Sequence, residues 1–384
     1  MKRTTVKKFI TFLFLAGFTV SSLVFSQEPV VYKIEAPEKI LKKRRLQGFQ
    51  TVQDQNIKGS FWLGYSISKL MPENVYYFSW NGMTGMGHWR RSPSEPTLED
   101  LLSGRMNPIN SEQELKEYTQ EVINRMDQKK VPHVEKKIAV LFRYKSVSTR
   151  PEGIYLCSLD FPFELDNRPM IWLGEAEDEE SLNLLWSVYQ NSQRISLKKD
   201  VINAVGMHKA SESVIPLLES VLNKAQEPEL REEAASELGD HNHLRAVKLL
   251  LRTAMQDQNL EVREEAASAL EDIDLPESVD ALITIARRSP DFSVKEEAVE
   301  ALGDKASALI GEKLSRLASE ETETVRLQKI ALEALEDLDE NQGLPYIIQI
   351  ARHHSNPWVR KYAIEILGDS PDPRALEALI KILK

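Results

Sequence analysis

The sequence has a single cysteine, Cys157, so no internal disulfide can staple the fold. No cysteine follows Ser26 closely enough to take a lipid anchor, and past the first 26 residues no apolar run is long enough to cross a bilayer. Positive charge is scarce in the second half. Residues 201–384 carry 35 acidic and 21 basic side chains, a net of −14, whereas residues 1–200 carry 24 and 28, a net of +4. That deficit argues against a nucleic-acid surface on the C-terminal half. The one glycine-rich stretch, "NGMTGMGHW" (Asn81 to Trp89), lacks the spacing and the strand-to-helix setting of a phosphate loop and reads as a flexible turn.

What is present starts with the N-terminus. Lys2, Arg3, Lys7 and Lys8 precede an apolar run from Phe9 to Val20, and "SSLVFS" follows, ending at Ser26. A positive start, a dozen apolar residues and small residues near the end describe a secretory signal over 1–26. The expectation is an exported protein, periplasmic or extracellular; the alternative is an uncleaved anchor, the one route to membrane contact. With 384 residues, two folded regions beyond that segment are expected.

The chain then repeats itself. "LREEAASELG" at Leu230 to Gly239 returns as "VREEAASALE" at Val262 to Glu271. Val205, Leu238, Leu270, Leu302, Leu335 and Leu367 occupy one repeat position, separated by 33, 32, 32, 33 and 32 residues. Each unit holds two helical patterns. Pro228 and Pro357 open second helices, and Gly206, Gly239, Gly303 and Gly368 follow the last apolar residue, where a left-handed cap is expected. A two-helix unit of this length cannot cover its own apolar face, so its neighbours must stack into an α-solenoid. The expected organisation is a signal over 1–26, a small α+β domain over 27–177 and about five repeats with a capping helix over 178–384. Asp372 is the expected cap of that last helix, Pro373 to Leu383.

The segment "NPWVRKYAIEILGDSPDPRALEALIKIL" (Asn356 to Leu383) resembles the short HEAT repeats also called phycobilisome-lyase-like. A basic residue seven positions before the terminal apolar one is the most specific mark: Lys198, Arg231, Arg263, Lys295 and Arg360, with Gln328 departing from the pattern. The resemblance implies that this residue buttresses the turn between the two helices. It also brings two enzyme classes into view. A bilin lyase would be cytoplasmic, against the export signal. A di-iron hydroxylase on such repeats uses His-Glu pairs, and none of the seven histidines here precedes a glutamate. No cofactor and no metal are therefore expected; Asp240, His241 and His243 read as a solvated turn.

Residues 27–177 do not repeat. Gly59 to Ser68, Asn74 to Trp80, Lys137 to Tyr144 and Ile154 to Leu159 read as strands, and Ser111 with Glu114 reads as a capping box before a helix. Phe61, Trp62, Tyr65, Tyr76, Tyr77, Phe78 and Trp80 read as core, Cys157 as a buried inert thiol, and "KKRR" (Lys42 to Arg45) as a solvated charge run.

For function the sequence points to a non-catalytic protein–protein scaffold. The two residues after each basic one are Glu232 and Glu233, Glu264 and Glu265, Glu296 and Glu297, then, past one intervening unit, Lys361 and Tyr362. They are the candidate partner-binding residues, an acidic stripe on the concave face for a basic segment of another protein. Arg231, Arg263, Lys295 and Arg360 are the candidate structural ones. The competing class is an enzyme with its site in the α+β domain and the solenoid as docking arm.

Overall fold

The computed structural model describes residues 30–34, 40–73, 75–80, 83–87, 97–104, 133–146, 148–161, 163, 165–209, 211–303, 305, 308–320, 323–338 and 341–384. The expected signal segment and the expected Ser111/Glu114 capping box lie outside these residues. The chain forms two compact units that meet at Lys209/Ala210.

The first unit is built on a mixed seven-stranded sheet. Its strands are β1 (Val31–Lys33), β2 (Ser60–Pro72), β3 (Tyr76–Trp80), β4 (Met83–Gly87), β5 (His133–Lys145), β6 (Gly153–Ser158) and β7 (Met170–Glu175). They lie in the order β1-β7-β2-β5-β6-β3-β4, with β7 parallel to both its neighbours and every other pair antiparallel. β2 is buried on both faces because aromatic and branched residues fill both alternating sets: Phe61, Leu63, Tyr65 and Ile67 on one side, Trp62 on the other. Trp62 packs edge-on against Tyr155 and Phe163 above helix α2 (Leu98–Ser103), beside the fully buried Cys157. Burial pushes the Cys157 thiol well above its ordinary range, which leaves it unreactive. The opposite face receives helix α1 (Leu41–Asp54), whose Gly48 lets the backbone approach Ile171, Leu173 and Leu63; a Cβ there would lie 3.1 Å from Ile171.

Several expectations are corrected here. "KKRR" is not a solvated run but the start of α1. Lys42 and Lys43 are exposed, but Arg44 is buried and donates from Nη1 to the carbonyl oxygens of Leu173 (2.5 Å) and Glu175 (2.7 Å), tying helix to sheet. Met83–Gly87 of the glycine-rich stretch is strand β4, paired with β3 from Tyr76↔Gly87 to Trp80↔Met83, rather than a flexible turn. Helices α3 (Asp178–Asn191), expected as the first helix of the array or a junction helix, and α4 (Ile195–Gly206) cluster with the sheet unit, and the boundary between the two units falls after Lys209. The reason is where their polar groups go. Tyr65 on β2 and His208 just past α4 both bond Ser181 on α3, each at 2.7 Å, and Tyr77 donates to Asn203 on α4 at 2.6 Å.

Among the described residues the second unit holds five helix pairs and a final helix. The pairs are α5 (Ser211–Lys224) with α6 (Pro228–Gly239), α7 (Leu244–Gln256) with α8 (Leu260–Ser268), α9 (Pro276–Arg288) with α10 (Phe292–Gly303), α11 (Ala308–Ser319) with α12 (Val325–Glu336), and α13 (Leu344–His353) with α14 (Pro357–Asp369). Helix α15 (Pro373–Ile382) follows, capped by Asp372, whose carboxylate accepts from the backbone N–H of Arg374 at 2.8 Å. Second helices pack on second helices, and more closely than first helices do on each other. The core runs between the layers through Leu230, Ala234, Leu238, Val262, Ala266, Leu270, Val294, Ala298 and Leu302. The repeat glycines are not left-handed caps: none of Gly206, Gly239, Gly303 and Gly368 has positive φ. Two of them instead make room for the next second helix. A Cβ on Gly239 would meet the Ala269 carbonyl oxygen at 2.7 Å, and one on Gly303 would meet Ala334 Cβ at 3.1 Å.

Candidate functional site

The repeated basic residue stands in the first turn of each second helix, close enough to reach back to the carbonyls that the end of the first helix leaves unpaired. Arg231 donates from Nη1 to Ala225 (3.0 Å) and Gln226 (3.1 Å), Arg263 to Asp257 (2.6 Å), Lys295 to Arg287 (3.2 Å) and Arg360 to His354 (2.5 Å) and Ser355 (3.0 Å). Gln328, the departure from the pattern, donates to Glu320 at 2.9 Å, because an amide N–H serves the same carbonyl. The same side chains also reach the following repeat. Arg231 grips Asp257 with a two-point fork at 2.8 Å each, Arg263 meets Asp291 at 2.8 Å, Lys295 meets Glu323 at 3.9 Å, and Gln328 faces His354 at 3.4 Å. Burial alone would raise the Asp257 carboxyl. The hydrogen bonds from Arg231 and the Asn259 N–H, with the charges of Arg231 and Arg263, hold it below its usual range instead. In the pair that joined the sheet unit, Lys198 lies over the Tyr189 ring at 5.2 Å. The loop acids had a sequence signal, recurring 26 to 28 residues after the basic residue.

The acidic candidates sit one and two positions further along the same helices. Glu232, Glu233, Glu264, Glu265, Glu296 and Glu297 are all half-buried. Burial raises the Glu265 carboxyl above its ordinary value, and the charges of Glu232, Glu297 and Glu233 raise it further. Acids of three consecutive repeats therefore share one field. Arg326 of the next second helix reaches back to Glu296 at 3.1 Å and lies over Phe292 at 4.0 Å. Lys361 and Tyr362 lie two second helices beyond Glu297. Lys361 pairs with Glu365 at 3.5 Å; the Tyr362 hydroxyl donates to Glu333, and Lys329 covers its ring at 4.5 Å. Near them Trp358, at the position two before the repeated basic residue, is 67% exposed.

Two polar constellations resemble catalytic machinery in composition and not in access. Tyr65, Ser181 and His208 form a chain: the His208 Nδ1–H donates to the Ala204 carbonyl (2.9 Å), so its Nε2 accepts from Ser181, which accepts from Tyr65. All three are sealed from solvent, and every bond is internal. In the Asp240–His243 turn Asp240 is exposed as expected, but the histidines are engaged within the fold. His241 is buried against Ser211 (3.0 Å), and His243 caps α7 by accepting from the Arg245 N–H (3.0 Å) while its Nε2 meets Glu212. Among the described residues no group of three or more potential metal ligands gathers.

In the sheet unit a cleft of about 400 Å³ opens between the start of α1, the β5–β6 turn and the α3–α4 junction. Arg45, Arg150 and Arg194 line it, and no carboxylate or imidazole does among the described residues. No motif foretold it, since its arginines come from three segments of unrelated pattern.

Part of the chain is similar to a number of solved structures, three of which follow. Human deoxyhypusine hydroxylase is 18% identical, over 53% of this chain and 90% of its own, with a TM-score of 0.30. The CpcE–CpcF complex of phycocyanin lyase from Nostoc sp. is 24% identical, over 43% and 68%, with a TM-score of 0.29. YibA of Escherichia coli is 16% identical, over 50% and 71%, with a TM-score of 0.30. No curated protein matches the chain in sequence. The model of the family described as HEAT repeats matches residues 215–303 and 312–384. The C-terminal half of the chain is an array of HEAT repeats.

Proposed function

We propose that this protein is an exported, non-catalytic scaffold whose HEAT repeats hold a basic segment of another protein along the layer of second helices. HEAT repeats suggest a protein-interaction scaffold in general terms. The observation that supports the finer reading is the shared field of Glu232, Glu233, Glu265 and Glu297. A carboxylate such as Glu265, held among other acids at a cost to its own ionisation, gains from a cation laid across it. The closer packing of second helices on one another, compared with first helices, supports reading their side as the inner one of a curving array. Lys361, Tyr362 and the exposed Trp358 mark one end of this layer and would set the direction of the bound segment.

The decisive experiment measures binding of a Lys/Arg-rich peptide and capture of envelope proteins by the mature chain, with Glu232, Glu264 and Glu296 unchanged or all replaced by Lys. The reading expects wild-type binding to weaken steeply between about 50 and 200 mM salt and to collapse in the triple variant, with melting retained. Capture that survives the triple change at every ionic strength rejects the stripe. Export is tested separately, by N-terminal sequencing: the mature chain should begin near Gln27 outside the cytoplasm, and an intact Met1 on soluble cytoplasmic protein rejects it.

A further inference from the structure

The cleft in the sheet unit is independent of the repeats, and its chemistry is opposite in sign to theirs. Its walls bring three arginine residues to one opening of about 400 Å³, a size in the range of small-ligand sites. None of the three has a carboxylate at ion-pair distance among the described residues. Arg194 spends one N–H on the Glu152 carbonyl oxygen (2.7 Å), while the Glu152 carboxylate is engaged by Lys145 (2.7 Å) and Arg143 (3.7 Å). Arg45 lies over the Phe49 ring at 5.3 Å, with the Tyr144 hydroxyl at 3.4 Å as a weak acceptor. Arg150 is exposed and sits in a turn fixed by Ser148, whose hydroxyl accepts from the Arg150 backbone N–H at 3.1 Å. The cleft also meets the N-terminus of the 12-residue helix α4, which has no side-chain cap and no acid in its first turn. Its unpaired N–H groups add to the positive field. Beneath the charges lie Pro151, Val188 and Leu197, all buried and apolar.

Three cations and a helix start around one opening repel each other until an anion enters, and guanidinium forks match the planar geometry of carboxylate and phosphate oxygens. We infer that this cleft is a binding site for a small ligand carrying a carboxylate or phosphate group on an apolar body, with the head group among Arg45, Arg150 and Arg194 and the body on Val188, Leu197 and Pro151.

The test titrates the full mature chain with hexanoate, hexyl phosphate and inorganic phosphate against sodium chloride at matched ionic strength, read by calorimetry and by melting temperature. Saturable binding of hexanoate or hexyl phosphate is expected, and the stronger of the two names the head group. Two substitutions separate the site from general charge: Arg150→Glu, an exposed change, and Ser187→Trp, which fills the cleft from its rim. Each should weaken binding about tenfold or more, the order of losing one charge-assisted hydrogen bond. A response no larger than that to chloride, or one unchanged in both variants, overturns the inference. An equal response to inorganic phosphate and hexyl phosphate overturns the part that assigns an apolar body.

Discussion

At the scale of single residues, the repeated basic side chain is a joint between repeats, and its removal has a definite cost. Arg263 donates to the Asp257 carbonyl and pairs with Asp291, with only 14% of its side chain exposed. Arg263→Ala leaves both acceptors unpaired and should lower stability by about 1–3 kcal/mol, a fall of a few degrees in the melting temperature of the repeat unit. An unchanged melt removes the joint reading. Glu265 works in the other direction. Its folded carboxyl holds a proton more tightly than the unfolded chain does, so stability falls as pH rises through the ordinary value of 4.5 and on through the raised one. The penalty grows as pH rises through that window. Glu265→Gln should therefore raise the melting temperature at pH 7 and leave it unchanged near pH 4; a variant that melts like wild type at pH 7 shows that no repulsion is stored there. The joint was legible in the sequence down to its position, because one residue type recurs at fixed spacing. That Gln328 fills it equally well was not, since only the shared carbonyl acceptor reveals the equivalence.

At the scale of elements, the repeat helices announce themselves through periodicity, prolines at their starts and small residues at their contacts, all local in sequence. The sheet unit is less legible for a physical reason. Helix α1 starts at Ile40 with no side-chain cap of its own; the acceptor for the Leu41 N–H is the carboxylate of Glu180, 139 residues away, at 3.1 and 3.2 Å. Strand β1 has three residues and exists through its pairing with β7. Glycine misled in the repeats because a tight helix crossing and a left-handed cap ask for the same residue. The element-scale prediction follows from the packing: residues 211–384 hold five complete pairs, and the stability of such an array comes from nearest neighbours. Expressed alone they should give a strongly helical circular dichroism spectrum and a cooperative melt. A disordered fragment would show that the boundary is misplaced.

At the scale of the whole molecule, the two units differ in charge, in topology and in what pH does to them. The Tyr65–Ser181–His208 chain buries a neutral imidazole in the first unit, and burial lowers the proton affinity of that ring. The unfolded chain then binds the proton more readily, so stability is lost as pH falls below the ordinary value of 6.5. In calorimetry of the full chain, the transition that is absent from fragment 211–384 should move to lower temperature between pH 7 and pH 5, and His208→Gln should flatten that dependence. A pH-independent transition would mean that the ring is already protonated in the fold.

The joints between repeats have a mechanical consequence. They grade from a two-point fork at Arg231–Asp257, through single contacts at Arg263–Asp291 and Lys295–Glu323, to a contact without a carboxylate at Gln328–His354. Each ties one repeat to its successor and no further, so a pull along the array loads them in series and is borne by the weakest. Under tension the array should open first between the repeats joined by Gln328 and His354, while the stretch that carries the glutamates stays closed.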